Sequence, residues 1–138
     1  MFNVNDENFK NSLIYTNFIN EHPSRGSLRI KASAASGAVP ISGVKIQVTK
    51  EIENKIVIFY DGETDNSGLI EKISLPAKKL DTNNLEIPEK TVYNVKATYV
   101  PDNISMNFDI NIYENINVVQ NINIVPELRI IEGDTIVS

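Results

Sequence analysis

Three carboxylates stand at alternate positions in the stretch Asp61-Gly62-Glu63-Thr64-Asp65-Asn66-Ser67-Gly68. Acids this close could hold a calcium ion. An EF-hand loop, however, needs glycine at its sixth position, a bidentate glutamate at its twelfth, and helices on both sides. Counted from Asp61, those positions hold Asn66 and Lys72, and the flanking residues alternate as strands do. A turn accounts for the cluster better. Asp65 and Asn66 can accept hydrogen bonds from nearby backbone N–H groups, and Gly68 can take a positive φ without steric cost. Pro76 then ends the strand that follows, since it donates no ladder bond.

Other chemistry is as thinly supplied. His22 is the sole histidine, and it precedes Pro23 in a polar segment, where an exposed and idle ring is expected. A Ser-His-Asp triad would need that ring, and nothing places a serine beside it. Zinc needs about three suitable ligands, and the chain has no cysteine. Glycan cleavage uses two carboxylates about 5–10 Å apart. Glu51 with Glu53, or Asp61 with Glu63, could share one side of a strand, but same-side polar residues are ordinary on a solvated strand. A Lys–Asn isopeptide bond would need a buried lysine, and Lys31 and Lys45 both alternate outward. The expectation is a non-enzyme without cofactor or metal. Asparagine is the residue that invites a binding role. Asn107, Asn111, Asn115, Asn117, Asn121 and Asn123 mark the outer positions of the last two strands. Amides donate and accept, so a face built on Asn107, Asn111, Asn117, Asn121 and Asn123 suits a sugar or a protein edge.

The elements that must position these groups follow from the apolar period. The chain has 138 residues, 41% of them hydrophobic, which suits one domain with a real core. Its formal net charge of −5 argues against nucleic acid and against an anionic membrane surface as partners. No apolar run approaches the ~20 residues of a membrane helix. The N-terminus has no basic region and does not read as a secretory signal, so the compartment stays open.

Residues 1–26 read as a leader, with Phe9, Leu13, Ile14 and Phe18 fitting one weak helical stripe that a partner or second copy could cover. From Ser27 the period becomes two. Leu28–Ala34, Val44–Thr49, Lys55–Tyr60, Leu69–Leu75, Thr91–Tyr99, Met106–Ile112 and Ile116–Ile124 give about seven strands. Lys55–Tyr60 is apolar on both sides, which suits a central or interface strand. Lys78–Lys90 is a polar connection long enough to cross between sheets. A phase shift near Val119-Gln120 would signal a bulge. Residues 27–126 thus read as a Greek-key β-sandwich, and 127–138 as a tail or linker.

The motifs that punctuate these strands come in a familiar order. "PISGVKIQV" (Pro40–Val48) precedes "TDNSG" (Thr64–Gly68), "LP" (Leu75-Pro76) and "YNVKA" (Tyr93–Ala97). This series resembles the carboxypeptidase-regulatory-like, or transthyretin-like, domain. The resemblance implies an all-β, Greek-key transthyretin-like sandwich with a short N-terminal extension. It further implies that Pro40, Gly43, Thr64, Asp65, Gly68 and Pro76 form the turn and fold motif. With the closing "QNINIVP" (Gln120–Pro126), the chain is also similar to an accessory domain of bacterial spore-cortex-lytic enzymes. Tyr99-Val100-Pro101 lacks a glycine common in the family, and no lytic motif lies in the sequence, so hydrolysis is not carried over. What the resemblance implies is a non-catalytic binding or assembly module near cell-wall or spore-cortex machinery. It would contact a protein partner or peptidoglycan glycan through an outer face or edge strand. A structural phage, appendage or spore-coat protein assembling by strand pairing is the alternative, and an open edge also allows a homo-oligomer.

Overall fold

The computed structural model describes residues 1–80 and 89–125, and the backbone of Arg129–Ile130 and Ile136–Val137. The element order is β1 (Phe2–Asn3), α1 (Glu7–Lys10), α2 (Leu13–Glu21), β2 (Ser24–Ala34), β3 (Val39–Pro40), β4 (Lys45–Ile52), β5 (Lys55–Glu63), β6 (Leu69–Ala77), β7 (Thr91–Tyr99), β8 (Ile104–Ile112) and β9 (Asn117–Asn123). Two short strands, β10 (Arg129–Ile130) and β11 (Ile136–Val137), pair with each other. The seven long strands β2 and β4 to β9 match the seven expected from the alternation.

They form two sheets packed face to face, an all-β sandwich. One sheet runs β1-β5-β4-β7-β8. The other is built on β2, with β6 antiparallel along one side and β9 parallel along the other. The short β3 pairs with Ser33 and Ala34 of β2. The period-two pattern buries alternate side chains between the sheets: Leu28, Ile30 and Ala32 from β2 meet Ile46, Val48, Tyr93 and Val95 from β4 and β7, all without solvent exposure. At roughly 1.5–3 kcal/mol for each large apolar side chain, this layer supplies the main drive to fold. The Tyr93 hydroxyl donates to the Pro76 carbonyl, tying β7 to β6 across the core. Burial pushes that phenol far above its ordinary pKa.

Several expectations are corrected. The sandwich begins at Ser24, not Ser27. The bulge expected at Val119-Gln120 is absent: β9 pairs with β2 in unbroken register from Asn117 to Asn123. Val118, Gln120, Ile122 and Ile124 share one inward phase, and Gln120 is simply a polar residue in that series. Register shifts fall instead between Leu28 and Ile30 of β2 and between Val48 and Thr49 of β4. The second shift lets Phe59 and Tyr60 of β5 both turn inward, and the Tyr60 ring then covers Gly62, where a Cβ would meet it. β5 is not central: among the described residues, only the two of β1 pair beyond it. Glu53 is not on a strand; with Asn54 it forms the tight β4–β5 turn, both at positive φ (49° and 65°). Pro76 lies inside β6, which ends at Ala77. Of the long polar connection, 81–88 lie outside the described residues, as does most of the tail expected at 127–138.

The leader is part of the fold. Asp6 and Ser12 cap two separate helices, their side chains accepting from the N–H groups of Asn8 and Tyr15. The single stripe expected from the sequence is therefore divided. Phe9 and Phe18 are buried in the common core, whereas Leu13 is 74% exposed. Phe18 packs on Phe59, which meets Tyr93 edge to face at 5.1 Å.

His22 overturns its expectation as well. It is 8% exposed rather than open to solvent. Its ring stacks on Phe18 at 4.0 Å, and Nδ1 lies 2.8 Å from the Phe18 carbonyl oxygen. Burial lowers the His22 pKa; Lys50 and Lys78 lower it further, against the opposing Phe18 carbonyl and Glu21. The neutral ring is thus the form that fits. Its contribution is complete above the ordinary histidine value and is lost as pH falls through the depressed folded value. The melting temperature should drop as pH is lowered below about 6.5, and His22→Gln should flatten that dependence. Parallel melting curves for the two proteins across this window would contradict the assignment.

Candidate binding face

The carboxylate stretch folds the chain, as the turn reading required. Asp65 Oδ1 accepts from the N–H groups of Ser67 (2.8 Å) and Leu69 (3.0 Å). Gly68 sits at φ +75°, and a Cβ there would collide with the Ala32 carbonyl oxygen. Thr64 is 3% exposed. Its hydroxyl donates to the Ile41 carbonyl (2.8 Å) and accepts from the Val44 N–H (3.0 Å). It thereby pins the loop in which Gly43 takes φ +76°. Asp61 and Glu63 lie exposed opposite Gln47 and Lys45. Among the described residues, no group of three or more His, Asp or Glu is placed to hold a metal ion. Lys31 and Lys45 are both exposed, as their alternation predicted.

The asparagines are all exposed, but they do not share one surface. Asn107 and Asn111 lie on β8, in the five-stranded sheet; Asn117, Asn121 and Asn123 lie on β9, in the other. Because the sheets pack core to core, their outer faces point in opposite directions. The single flat amide surface expected from the last two strands is therefore split in two.

On the five-stranded side, a groove of about 520 Å³ is lined by Thr49, Lys50, Glu51, Asn94, Asn107 and Asp109 among others. Several of its polar groups are paired within the protein. Lys50 Nζ donates to the Val92 carbonyl at 2.8 Å, and the Asn94 amide donates to Asp109 at 3.2 Å. Burial lowers the Lys50 pKa, and Lys78 adds to the effect. The outer positions of this sheet carry Glu51, Asp61, Glu63 and Asp109 against Lys45 and Lys96, an acidic balance.

The other face has the opposite character. Parallel pairing sets Ser27 beside Asn117, Arg29 beside Val119, Lys31 beside Asn121 and Ser33 beside Asn123. Arg25 extends the basic column, and Lys72 and Ser74 of β6 flank it. The Arg25 guanidinium is held by Ser74, with Nε donating to Oγ and Nη2 to the carbonyl, both at 3.0 Å. Ser27 Oγ donates to Asn117 Oδ1 at 2.8 Å, which leaves the Asn117 NH₂ as a donor. Arg29 lies 3.7 Å from Glu71.

Two grooves open on this face. One, of about 300 Å³, is lined by Arg25, Ser27, Lys72, Ser74, Asn115 and Asn117 among others. The second, of about 330 Å³, is lined by Lys31, Ser33, Ser36, Asn121 and Asn123 among others. The amide column was visible in the sequence. The basic column was visible only in part, as the outward alternation of Arg29 and Lys31. That the two columns adjoin was not visible, because they lie about 90 residues apart.

No family model matches the chain, and no curated protein does either.

The corner that delivers β9 to β2 depends on Gly26. A Cβ there would strike the Tyr113 carbonyl oxygen and lie 2.6 Å from Ile112 Cγ2. Gly26→Ala should therefore force the corner apart and cost about 1–3 kcal/mol by overpacking. A urea melt with an unchanged midpoint would show that the corner yields.

Proposed function

We propose that this chain is a non-catalytic binding module that engages a glycan or a protein partner through the outer face of the β6-β2-β9 sheet. One observation carries the reading: the amides of β9 (Asn117, Asn121 and Asn123) lie directly against the serines and cations of β2, on an open surface with two grooves. Amides can both donate to and accept from sugar hydroxyls. Work beside bacterial cell-wall or spore-cortex machinery is supported by the motif order at Pro40–Val48, Thr64–Gly68, Leu75-Pro76 and Tyr93–Ala97, which resembles the transthyretin-like domain of such enzymes. On this reading Asn117, Asn121 and Asn123 contact the partner, while Asn107 and Asn111 do not.

A second reading has its own observation. Among the described residues, no strand pairs with the far edge of β8 or of β9. An open edge is a template for another chain, which suits a structural protein or homo-oligomer assembling by strand pairing.

A pull-down with insoluble cortex peptidoglycan separates the two. The binding module is retained, and Asn121→Asp combined with Asn123→Asp weakens retention about tenfold, a loss of about 1.4 kcal/mol. Light scattering that grows with concentration, without glycan retention, would instead establish the assembly reading.

A further inference from the structure

Among the described residues, no carboxylate lines the grooves of the β6-β2-β9 face. In a chain of net charge −5 this is a marked local departure. The face carries Arg25, Arg29, Lys31 and Lys72, and its acid among the described residues is Glu71, which faces Arg29. We infer that this face binds a carboxylate-bearing glycan strand, whose acidic groups sit at Arg25 and Lys72 in one groove and at Lys31 in the other. The inference rests on the binding reading proposed above and names its ligand class.

Cationic donors stand in both grooves, Arg25 and Lys72 in one and Lys31 in the other. Ser74 fixes the Arg25 guanidinium in place, and its remaining N–H groups are arranged to meet an oxyanion. The Asn117 amide has its oxygen satisfied by Ser27 and presents its NH₂. Lys72 is exposed beside them and has no ion pair among the described residues. Glu114, the nearby acid of the β8–β9 corner, is engaged elsewhere: its carboxylate accepts from the Leu80 N–H and the Ser24 hydroxyl, which hold its pKa below the usual carboxylate value.

The layout favours a polymer over a single ion. From Arg25 to Lys31 the cation column spans about 20 Å at ~3.3 Å per residue. The charges are spaced along it, with serines and amides between them that suit hydroxyl groups. Ile116 and Val119, 49% and 53% exposed, offer apolar contact to the flat side of a sugar ring. An acidic peptide is a poorer match, since peptides that bind sheets take the strand edge or fill apolar pockets. Exposed ion pairs are individually weak, so affinity depends on several contacts together and falls with salt.

The test titrates the whole chain with polygalacturonate, with neutral dextran of similar length and with polyglutamate. Polygalacturonate should bind best, and salt raised to about 0.5 M should weaken it. Lys72→Gln and Arg25→Gln should each lower that affinity about two- to fivefold and the double variant more, while Lys45→Gln on the opposite face leaves it unchanged. Lys72 makes no structural bond among the described residues, so Lys72→Gln tests the idea even if Arg25→Gln disturbs the fold. Dextran binding as well as polygalacturonate, with Lys72→Gln neutral, would overturn the charge inference and leave the glycan reading standing. Preference for polyglutamate would overturn it in favour of a peptide site. Failure of all three to bind, together with no retention on peptidoglycan, would sink the inference and the binding reading alike.

Discussion

The parallel pairing of β2 with β9 is the constraint on which the rest depends. It joins the first long strand to the last, Ser27 to Asn117 through Ser33 to Asn123. Closing a loop of about 90 residues costs roughly 4 kcal/mol in the length-dependent term alone. Local bonds at the corner offset it. Asn115 takes a left-handed conformation (φ 59°) and donates its N–H to the Arg25 carbonyl at 2.9 Å. Ser27 donates its N–H to Ile116 at 3.1 Å and its hydroxyl to Asn117. Gly26 leaves the space the crossing needs. Without this pairing, Ile122 and Ile124 would lose their place in the core, and the amides would not meet the cations.

The same pairing gives the molecule two unlike sides. Both sheets bury one set of alternate residues and show the other set to water. Which strands are neighbours then decides what surface results. On the five-stranded side, β5, β4, β7 and β8 bring acids and lysines together, and Lys50, Asn94 and Asp109 are partly used up in internal bonds. On the opposite side, β6, β2 and β9 place four cations and three asparagines on an open face. A chain with an acidic total charge thus has a basic side, and net charge read from composition describes only the five-stranded surface.

The N-terminal segment acts as a plug for the core. Its two helices bury Phe9 and Phe18, and Phe18 lies between His22 and Phe59. The chain of rings from His22 to Tyr93 continues into the hydrogen bond between Tyr93 and Pro76. A titratable ring therefore stands at the join between helices and sandwich, within the field of Lys50 and Lys78. An isolated helix of nine residues is marginal in water. Packing against the sandwich is what makes α2 stable.

Strand existence, the Asp65–Gly68 turn and the outward direction of Lys31 and Lys45 were legible in the sequence, because each depends on neighbours a few residues away. Period two sorts side chains between core and water, and Asp and Gly shape a turn wherever they stand. The burial of His22, the turn at Glu53 and the two separated faces of asparagine were not legible. Phe18 packs on Phe59 of β5, about 40 residues away, and His22 stacks on Phe18; Gln120 mimicked a phase change because one polar residue occupies an inward position. The outer residues of β2 and β9 became one surface only when the sheets formed. Alternation says which way a side chain points, but strand pairing over long range decides what it points beside.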